Sequence, residues 1–454
     1  MNSKRMAAAL LAGTMALGMA GCGAGSGSGS TAAASSTDTA ASASSAAGTS
    51  EPAETAGGTI TVWAWDDTFN VKAANLAAEA YKAVNPDAAV NVVSMAQDDI
   101  VAKLNTGFES GNVDGLPNVV LIEDYRVQNY LQSYPDELAD LSDVTNPADF
   151  MDYKLSTMTQ DGKVYGVPFD SGVACLFYRT DLIEQAGYTT ADMQDLTWDK
   201  FIEIGKAVKE KTGTAMFSVD PSDLGLIRMM IQSAGAWYVD AEGKANISDN
   251  AALKEALTIY KQCQDAGITT TISGWDAGVS SVNESKVASS LNGCWYASSI
   301  KKAEDQSGKW AVAAFPKMSN IPESVNASNC GGASWYVINR VDGADTAKDF
   351  LKNTFASDAA LLDDLCSEIS LVSTYKAASE GANVNAPDAF FSNQTIYKDW
   401  NTWTANIPAV NYGMSTYDIE SKMTEAVQSI LGGADMDEVL ASTQTQVENI
   451  VNAG

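Results

Sequence analysis

Between residues 59 and 122 the chain alternates strand-like and helix-like runs in a way that leaves few folds open. Thr59-Ile60-Thr61-Val62-Trp63-Ala64-Trp65 is rich in β-branched and aromatic residues. Asp66, Asp67 and Thr68 then offer a helix cap. Phe69, Ala73, Leu76, Ala77, Ala80, Tyr81 and Val84 recur at helical spacing until Asn85-Pro86 stops the run. A second strand is predicted over 89–95 and a second helix over about 98–109. The third strand, Asn118-Val119-Val120-Leu121-Ile122, carries a continuous apolar stretch, as a strand covered on both faces requires. Strand, helix, strand, helix, strand is a βαβαβ unit, which implies an α/β protein with a parallel sheet and right-handed crossovers.

The pattern after this unit is less regular. Residues 162–172 read as extended and turn-rich, 174–179 as a buried strand, and 181–186 as a short helix closed by Gly187. Thr197 caps a helix with Phe201, Ile204, Gly205 and Val208 on one face, ending at Gly213. Helical periodicity returns over 223–234, 250–265 and 283–291, and strands are predicted at 309–315 and 334–339. The remainder is mostly helical. The length of the body, 59–454, suggests two or three domains or lobes.

The front of the chain carries an address. Lys4 and Arg5 precede an uncharged apolar run, 6–20, which is too short for a permanent bilayer span and has the build of a secretory signal. Leu17-Gly18-Met19-Ala20-Gly21-Cys22 resembles a bacterial lipobox, with Met19 in place of the usual Leu. The resemblance implies that 1–21 is removed, that Cys22 is lipidated, and that a diacyl anchor holds the protein on the outer face of the cell membrane. Residues 23–58 contain no Val, Ile, Leu, Phe, Tyr or Trp. Such a segment cannot offset its ordering entropy by apolar burial, so 22–58 is expected to be a disordered tether, with a root-mean-square span of roughly 30–36 Å.

Composition removes several function classes. The formal charge of −29 leaves no basic cluster for a nucleic-acid backbone. The chain has no histidine, which excludes Ser-His-Asp and Cys-His catalysis, HExxH zinc chemistry and any histidine-built metal site. Beyond Cys22 there are five cysteines, Cys175, Cys263, Cys294, Cys330 and Cys366, and none forms a CxxC pair. They read as small core residues. No metal or other cofactor is expected.

In open α/β sheets ligands bind at the carboxyl ends of strands. Those ends deliver Trp65-Asp66-Asp67, Glu123-Asp124-Tyr125 and Phe169-Asp170. Carboxylates accept hydrogen bonds from vicinal hydroxyls, and a flat indole covers the apolar face of a sugar ring. Trp275, Trp295-Tyr296, Trp335-Tyr336, Trp400, Trp403 and Tyr412 supply further aromatics, and Gly331-Gly332 would let backbone approach a ligand. The candidate binding set is Trp65, Asp66, Glu123, Asp124, Asp170, Trp275, Trp295, Tyr296, Gly331, Gly332, Trp335 and Trp403. Plainer roles stand beside it. Asp66 or Asp67 can simply cap a helix, and Glu123-Asp124 can be a solvated loop pair. Trp63, Trp198 and Trp310 read as core.

Lys163-Val164-Tyr165-Gly166-Val167-Pro168-Phe169-Asp170 and Leu176-Phe177-Tyr178-Arg179-Thr180-Asp181-Leu182 resemble extracellular solute-binding proteins, family 1, of carbohydrate ABC importers. So do Lys286-Val287-Ala288 with Asn292-Gly293-Cys294-Trp295-Tyr296, Gly331-Gly332 with Trp335, and Phe390-Phe391 with Gln394-Thr395-Ile396-Tyr397. The branch they resemble is the lactose/arabinose type. The resemblance implies a two-lobed, type II periplasmic-binding-protein-like fold whose hinge has several crossings, near 171–174, 311–315 and 341–346. Lobe one would be 59–171 plus 313–344, and lobe two 172–312 plus 345–454. Trp295 would stack on the ligand, while Asp66, Glu123, Asp124 and Asp170 would face the cleft from lobe one. A monomeric receptor would pass an oligosaccharide to two permease subunits. Two other readings suit the same residues: a receptor for a cationic solute such as a polyamine, and a surface glycoside hydrolase. The sequence specifies no carboxylate pair of the kind a hydrolase needs.

Overall fold

A computed structural model describes residues 58–453; the signal, Cys22 and nearly all of the tether lie outside the described residues. β1 (Thr59–Ala64), α1 (Asn70–Tyr81), β2 (Ala89–Ser94), α2 (Gln97–Ser110), β3 (Val119–Glu123) and α3 (Asp124–Ser133) follow one another along the chain. β1 pairs in parallel with both β2 and β3. The sheet then continues past β3 with two strands from farther along, Ala333–Val337 and Gly166–Pro168, in the order β2, β1, β3, Ala333–Val337, Gly166–Pro168. Ala333–Val337 runs antiparallel to both its neighbours, so the sheet is mixed. One apolar core surrounds it, built on Ile60, Val62, Val120, Ile122 and Trp335.

The second sheet has Ala174–Arg179 at its centre, antiparallel to Ser289–Gly293 on one side and Trp310–Ala314 on the other. Its period of two divides the strand between two cores. Ala174, Leu176 and Tyr178 face one, and Cys175 and Phe177 face the other. Thr197 caps helix Trp198–Thr212 as expected, its Oγ1 accepting from the Lys200 N–H at 3.3 Å, and Gly213 ends it in the left-handed region.

Two local expectations fail. Residues 283–291 are not a helix: helix Trp275–Asn283 ends there, Ser285 turns the backbone at φ 57°, and strand Ser289–Gly293 begins. Pairing with Ala174–Arg179 gives Leu291 a partner in Leu176, and that tertiary contact overrides the local periodicity. Asp66 is not a helix cap. It sits at φ 62°, and its Oδ1 accepts from the N–H and hydroxyl of Thr68 at 3.0 and 2.8 Å, a side-chain-mimicked turn.

Three chain segments cross between the two sheets. Ser171 donates its N–H to the Val372 carbonyl at 2.7 Å, Cys330 to Gly172 at 2.7 Å, and Ala174 to Ser328 at 2.8 Å. Asp170 bridges Ser373 and Val173 bridges Asn329. The crossings run near 170–174, 328–332 and 372–374, where the expectation had 171–174, 311–315 and 341–346. Helices Ala344–Lys352 and Ala359–Ile369 explain the shift. Phe350, Leu351, Leu361, Leu362 and Leu365 pack into the core of the five-stranded sheet, so this stretch belongs to lobe one. The assignment of everything from 345 onward to lobe two is corrected accordingly. Among the described residues no helix is long and apolar enough to cross a membrane. All five later cysteines are free thiols, and Cys330 alone of them is not fully buried.

Candidate ligand-binding site

A cavity of about 550 Å³ lies where the lobes meet. From lobe one, the end of β1 supplies Trp65 and Asp66, the start of α2 Gln97, the end of β3 Glu123, the first crossing Asp170 and the second Gly332. Glu368 and Ser370, at the end of helix Ala359–Ile369, complete that wall. Trp275, Trp295, Ser298 and Lys302 line it from lobe two. A second cavity of about 400 Å³ shares Trp275 and Trp295 with the first and reaches Asp220, Asp223, Arg228, Asn292, Tyr296 and Cys330. The two tryptophans stand between the compartments, ring centroids 5.8 Å apart and planes 34° apart. The Trp295 indole N–H donates to the Cys330 carbonyl at 2.9 Å, which fixes its plane. Trp275 rests edge-on against Tyr296 and remains 54% exposed.

The carboxylates are held in different ways. Both oxygens of Glu123 accept from the Tyr417 hydroxyl, at 2.7 and 2.6 Å, and the Arg126 Nε lies 3.3 Å away. Arg126 also lies over the Tyr417 ring at 4.3 Å. Since helix Thr416–Leu431 packs in the lobe-two core through Ile419 and Met423, this contact ties the lobes together. Beside it Tyr125 is buried between Trp237, stacked at 5.5 Å, and Tyr412, edge-on at 4.7 Å. Asp170 Oδ1 accepts from the Ala333 N–H at 2.6 Å and lies 3.5 Å from the Lys154 ammonium. In the second cavity Arg228 donates to Glu420 at 2.5 Å.

Of the twelve candidates, Trp65, Asp66, Glu123, Asp170, Trp275, Trp295 and Gly332 line the first cavity, and Tyr296 lines the second. The other four do not line either. Asp124, expected to face the cleft, is only 1% exposed and bonded to Lys154 at 2.7 Å. Trp335 is fully buried, stacked on Phe355 at 5.0 Å, because its strand is internal to the sheet and covered on both faces. Gly331 donates its N–H to the Tyr125 hydroxyl at 3.1 Å. Trp403, on helix Ile396–Thr404, packs against the lobe-two core beyond the cavity. Gly332 is required as glycine: at φ 109° a Cβ would stand 2.9 Å from both Asp124 Oδ2 and Lys154 Nζ. Gln97, Lys302, Glu368, Arg228 and Asn292 were missed. Only Arg228 carried a signal, a charge inside the apolar run Leu226-Ile227-Arg228-Met229-Met230.

Burial lifts the Asp124 carboxyl to about 6 against the lowering effect of Lys154. Burial also raises Glu420 and Asp399. A carboxyl raised on folding makes the native chain the better proton binder. Stability therefore rises as pH falls through the window between the ordinary and the raised value. Asp140, Asp192 and Asp220 are lowered by hydrogen bonds from Ser142, Thr189 and Gly274. They oppose the trend only below the ordinary carboxylate range. Easing the −29 charge adds to the stabilisation. Calorimetric melts are expected to show a midpoint a few degrees higher near pH 5.5 than near pH 7.5; a steady fall over that interval would contradict the assignment.

A cavity between two α/β lobes, walled by indoles and carboxylates and crossed by a three-segment hinge, defines a two-lobed solute-capturing protein. Residues 76–392 match the family described as bacterial extracellular solute-binding protein. The chain is 44% identical over 389 residues to a lactose-binding protein of Rhizobium radiobacter, covering 86% of this chain and 92% of that one. It is 26% identical over 316 residues to a maltooligosaccharide ABC transporter solute-binding lipoprotein of Streptococcus pneumoniae, 67% and 71% of the two chains. In fold it is similar to the sugar-binding protein MalE of Xanthomonas citri, with a TM-score of 0.73 over 87% of this chain and 98% of the other at 19% identity. The chain belongs to the bacterial extracellular solute-binding protein family; it is a binding protein and not an enzyme.

Proposed function

We propose that this protein captures an oligosaccharide between its lobes and delivers it to the two permease subunits of an ABC importer. The carrying observation is the Trp275–Trp295 pair, the first ring exposed and the second half-buried, which lines two cavities, one of them also lined by Asp66, Glu123 and Asp170. One sugar ring lies against each side of the pair, and the carboxylates accept from its hydroxyls. Two joined compartments favour two or more rings over a single one. The similarity to a lactose-binding protein supports a galactose-containing ligand. Contacts from both walls favour the closed arrangement, so binding shifts the population toward it. Cys22 tethers a monomer at the outer face of the membrane, a reading that the lipoprotein relative supports.

A thermal-shift panel of lactose, longer galactosides, arabino-oligosaccharides and spermidine tests the ligand class. A saturating ligand at about 100 times its dissociation constant adds about 2.7 kcal/mol and raises the midpoint visibly. Lactose or a longer galactoside is expected to do so. A shift with spermidine and none with any sugar would replace the proposal with the polyamine reading. Loss of the Cys22→Ala protein from the membrane fraction into the medium tests the anchor.

A further inference from the structure

Lys154 lies outside both cavities and nothing in the binding chemistry so far uses it. Its side chain, on helix Asp152–Met158, has no exposed surface. The ammonium lies 2.7 Å from Asp124 Oδ2 and 3.5 Å from Asp170 Oδ1. Asp124 is sealed, its other oxygen accepting from the Ser334 hydroxyl at 3.2 Å. Asp170 lines the ligand cavity, and its Oδ2 has no protein donor among the described residues. One buried cation thus serves two carboxylates, of which one is internal and the other opens on the ligand. A buried ion pair is poor value as a stabiliser, since apolar residues of like volume do as well or better. The arrangement makes sense if the charge is needed at Asp170.

We infer that Lys154 is the positioning residue of this site: its ammonium keeps the Asp170 carboxylate charged and turned so that its free oxygen accepts a ligand hydroxyl. The inference rests on the reading of Asp170 as a ligand acceptor. It also accounts for Gly332, because any side chain there would displace the ammonium. The other titratable groups facing the two carboxylates are Tyr153, Tyr336 and Tyr412 around Asp124 and Tyr153 and Cys294 around Asp170. Burial raises every one of them, so they stay neutral from pH 6 to 8. Only the carboxylates and Lys154 are left to set the charge.

The test compares wild type with Lys154→Met. Sugar affinity is measured by calorimetry from pH 6 to 8, and Asp170 ionisation by carboxyl ¹³C NMR of ligand-free protein, assigned with Asp170→Asn. Wild-type affinity is expected to change little over this range. In the variant two neighbouring carboxylates lose their cation and share a proton. Affinity is then expected to fall at least about tenfold near pH 7, and further by up to about tenfold per pH unit on acidification. The Asp170 resonance should titrate near neutrality. Should the Met variant not fold, Lys154→Gln, neutral and able to donate one N–H, is measured in the same way. A variant with wild-type affinity, a flat profile and an Asp170 signal ionised throughout overturns the inference. The NMR arm needs no ligand, so failure of wild type to bind any sugar would sink the oligosaccharide reading and still leave Lys154 tested.

Discussion

Gly172→Ala is expected to destabilise the protein by about 3 kcal/mol, among the largest effects of any single methyl group added to this chain. A Cβ at this position would stand 2.4 Å from the Cys330 carbonyl oxygen and 2.9 Å from the carbonyl carbons of Cys330 and Gly331. All three atoms are backbone, so no side chain can swing aside. Nor can the strands part freely, because Cys330 donates its N–H to the Gly172 carbonyl at 2.7 Å in the same contact. Either that bond breaks inside a buried stretch or the crossing segments separate and disturb Ser171, whose hydroxyl lies 3.0 Å from both Tyr153 and Thr404 hydroxyls. Urea unfolding checks this: the midpoint should drop with little change in slope. A midpoint equal to wild type would mean that the crossing is far more compliant than its packing indicates.

Trp295→Ala should weaken sugar binding by about 30- to 1000-fold, the cost of removing a well-packed aromatic anchor worth roughly 2–4 kcal/mol. Its ring is already aimed before ligand arrives, through the indole bond to the Cys330 carbonyl and the flank of Trp275. Little ordering entropy is then left for binding to overcome. Removing the ring also merges the two compartments it separates. Trp403→Ala is the matched control, since Trp403 packs outside the cavity; its affinity should stay within about twofold of wild type, in line with substitutions beyond the anchor cluster. Titration calorimetry of both variants decides the matter. Equal losses would show that general loosening of lobe two, and not stacking, governs affinity.

These residues show which parts of the site the sequence could carry. Trp63 and Trp65 would share a face if the strand ran on, since alternation separates only adjacent residues; the strand ends at Ala64, so Trp63 is buried in it and Trp65, one residue beyond, lines the cavity. Trp335 has the same local credentials as Trp65, an aromatic in a short β-rich run. Only its place inside a sheet, with neighbours on both sides, consigns it to the core. Glu123 and Asp124 are adjacent and chemically alike. One meets Tyr417 from the other lobe, and the other is sealed by Lys154 thirty residues on. No local pattern encodes which carboxylate finds which partner. The same holds for helices Ala344–Lys352 and Ala359–Ile369, whose apolar faces were legible but not the sheet they cover. What periodicity conveys is that a face is buried; what buries it is settled by contacts distant in sequence.

The three crossing segments lie side by side and are bonded edge to edge, with 171–173 between 372–373 on one flank and 328–330 on the other. Such a ribbon bends easily out of its own plane and resists shear and twist within it, since those would break main-chain bonds in series. Any relative movement of the lobes would therefore follow one swing axis, as at a door hinge and not at a ball joint. Asp170 and Gly332 stand at the ends of two of these segments, so a swing of the lobes would carry both along one arc with the cavity wall.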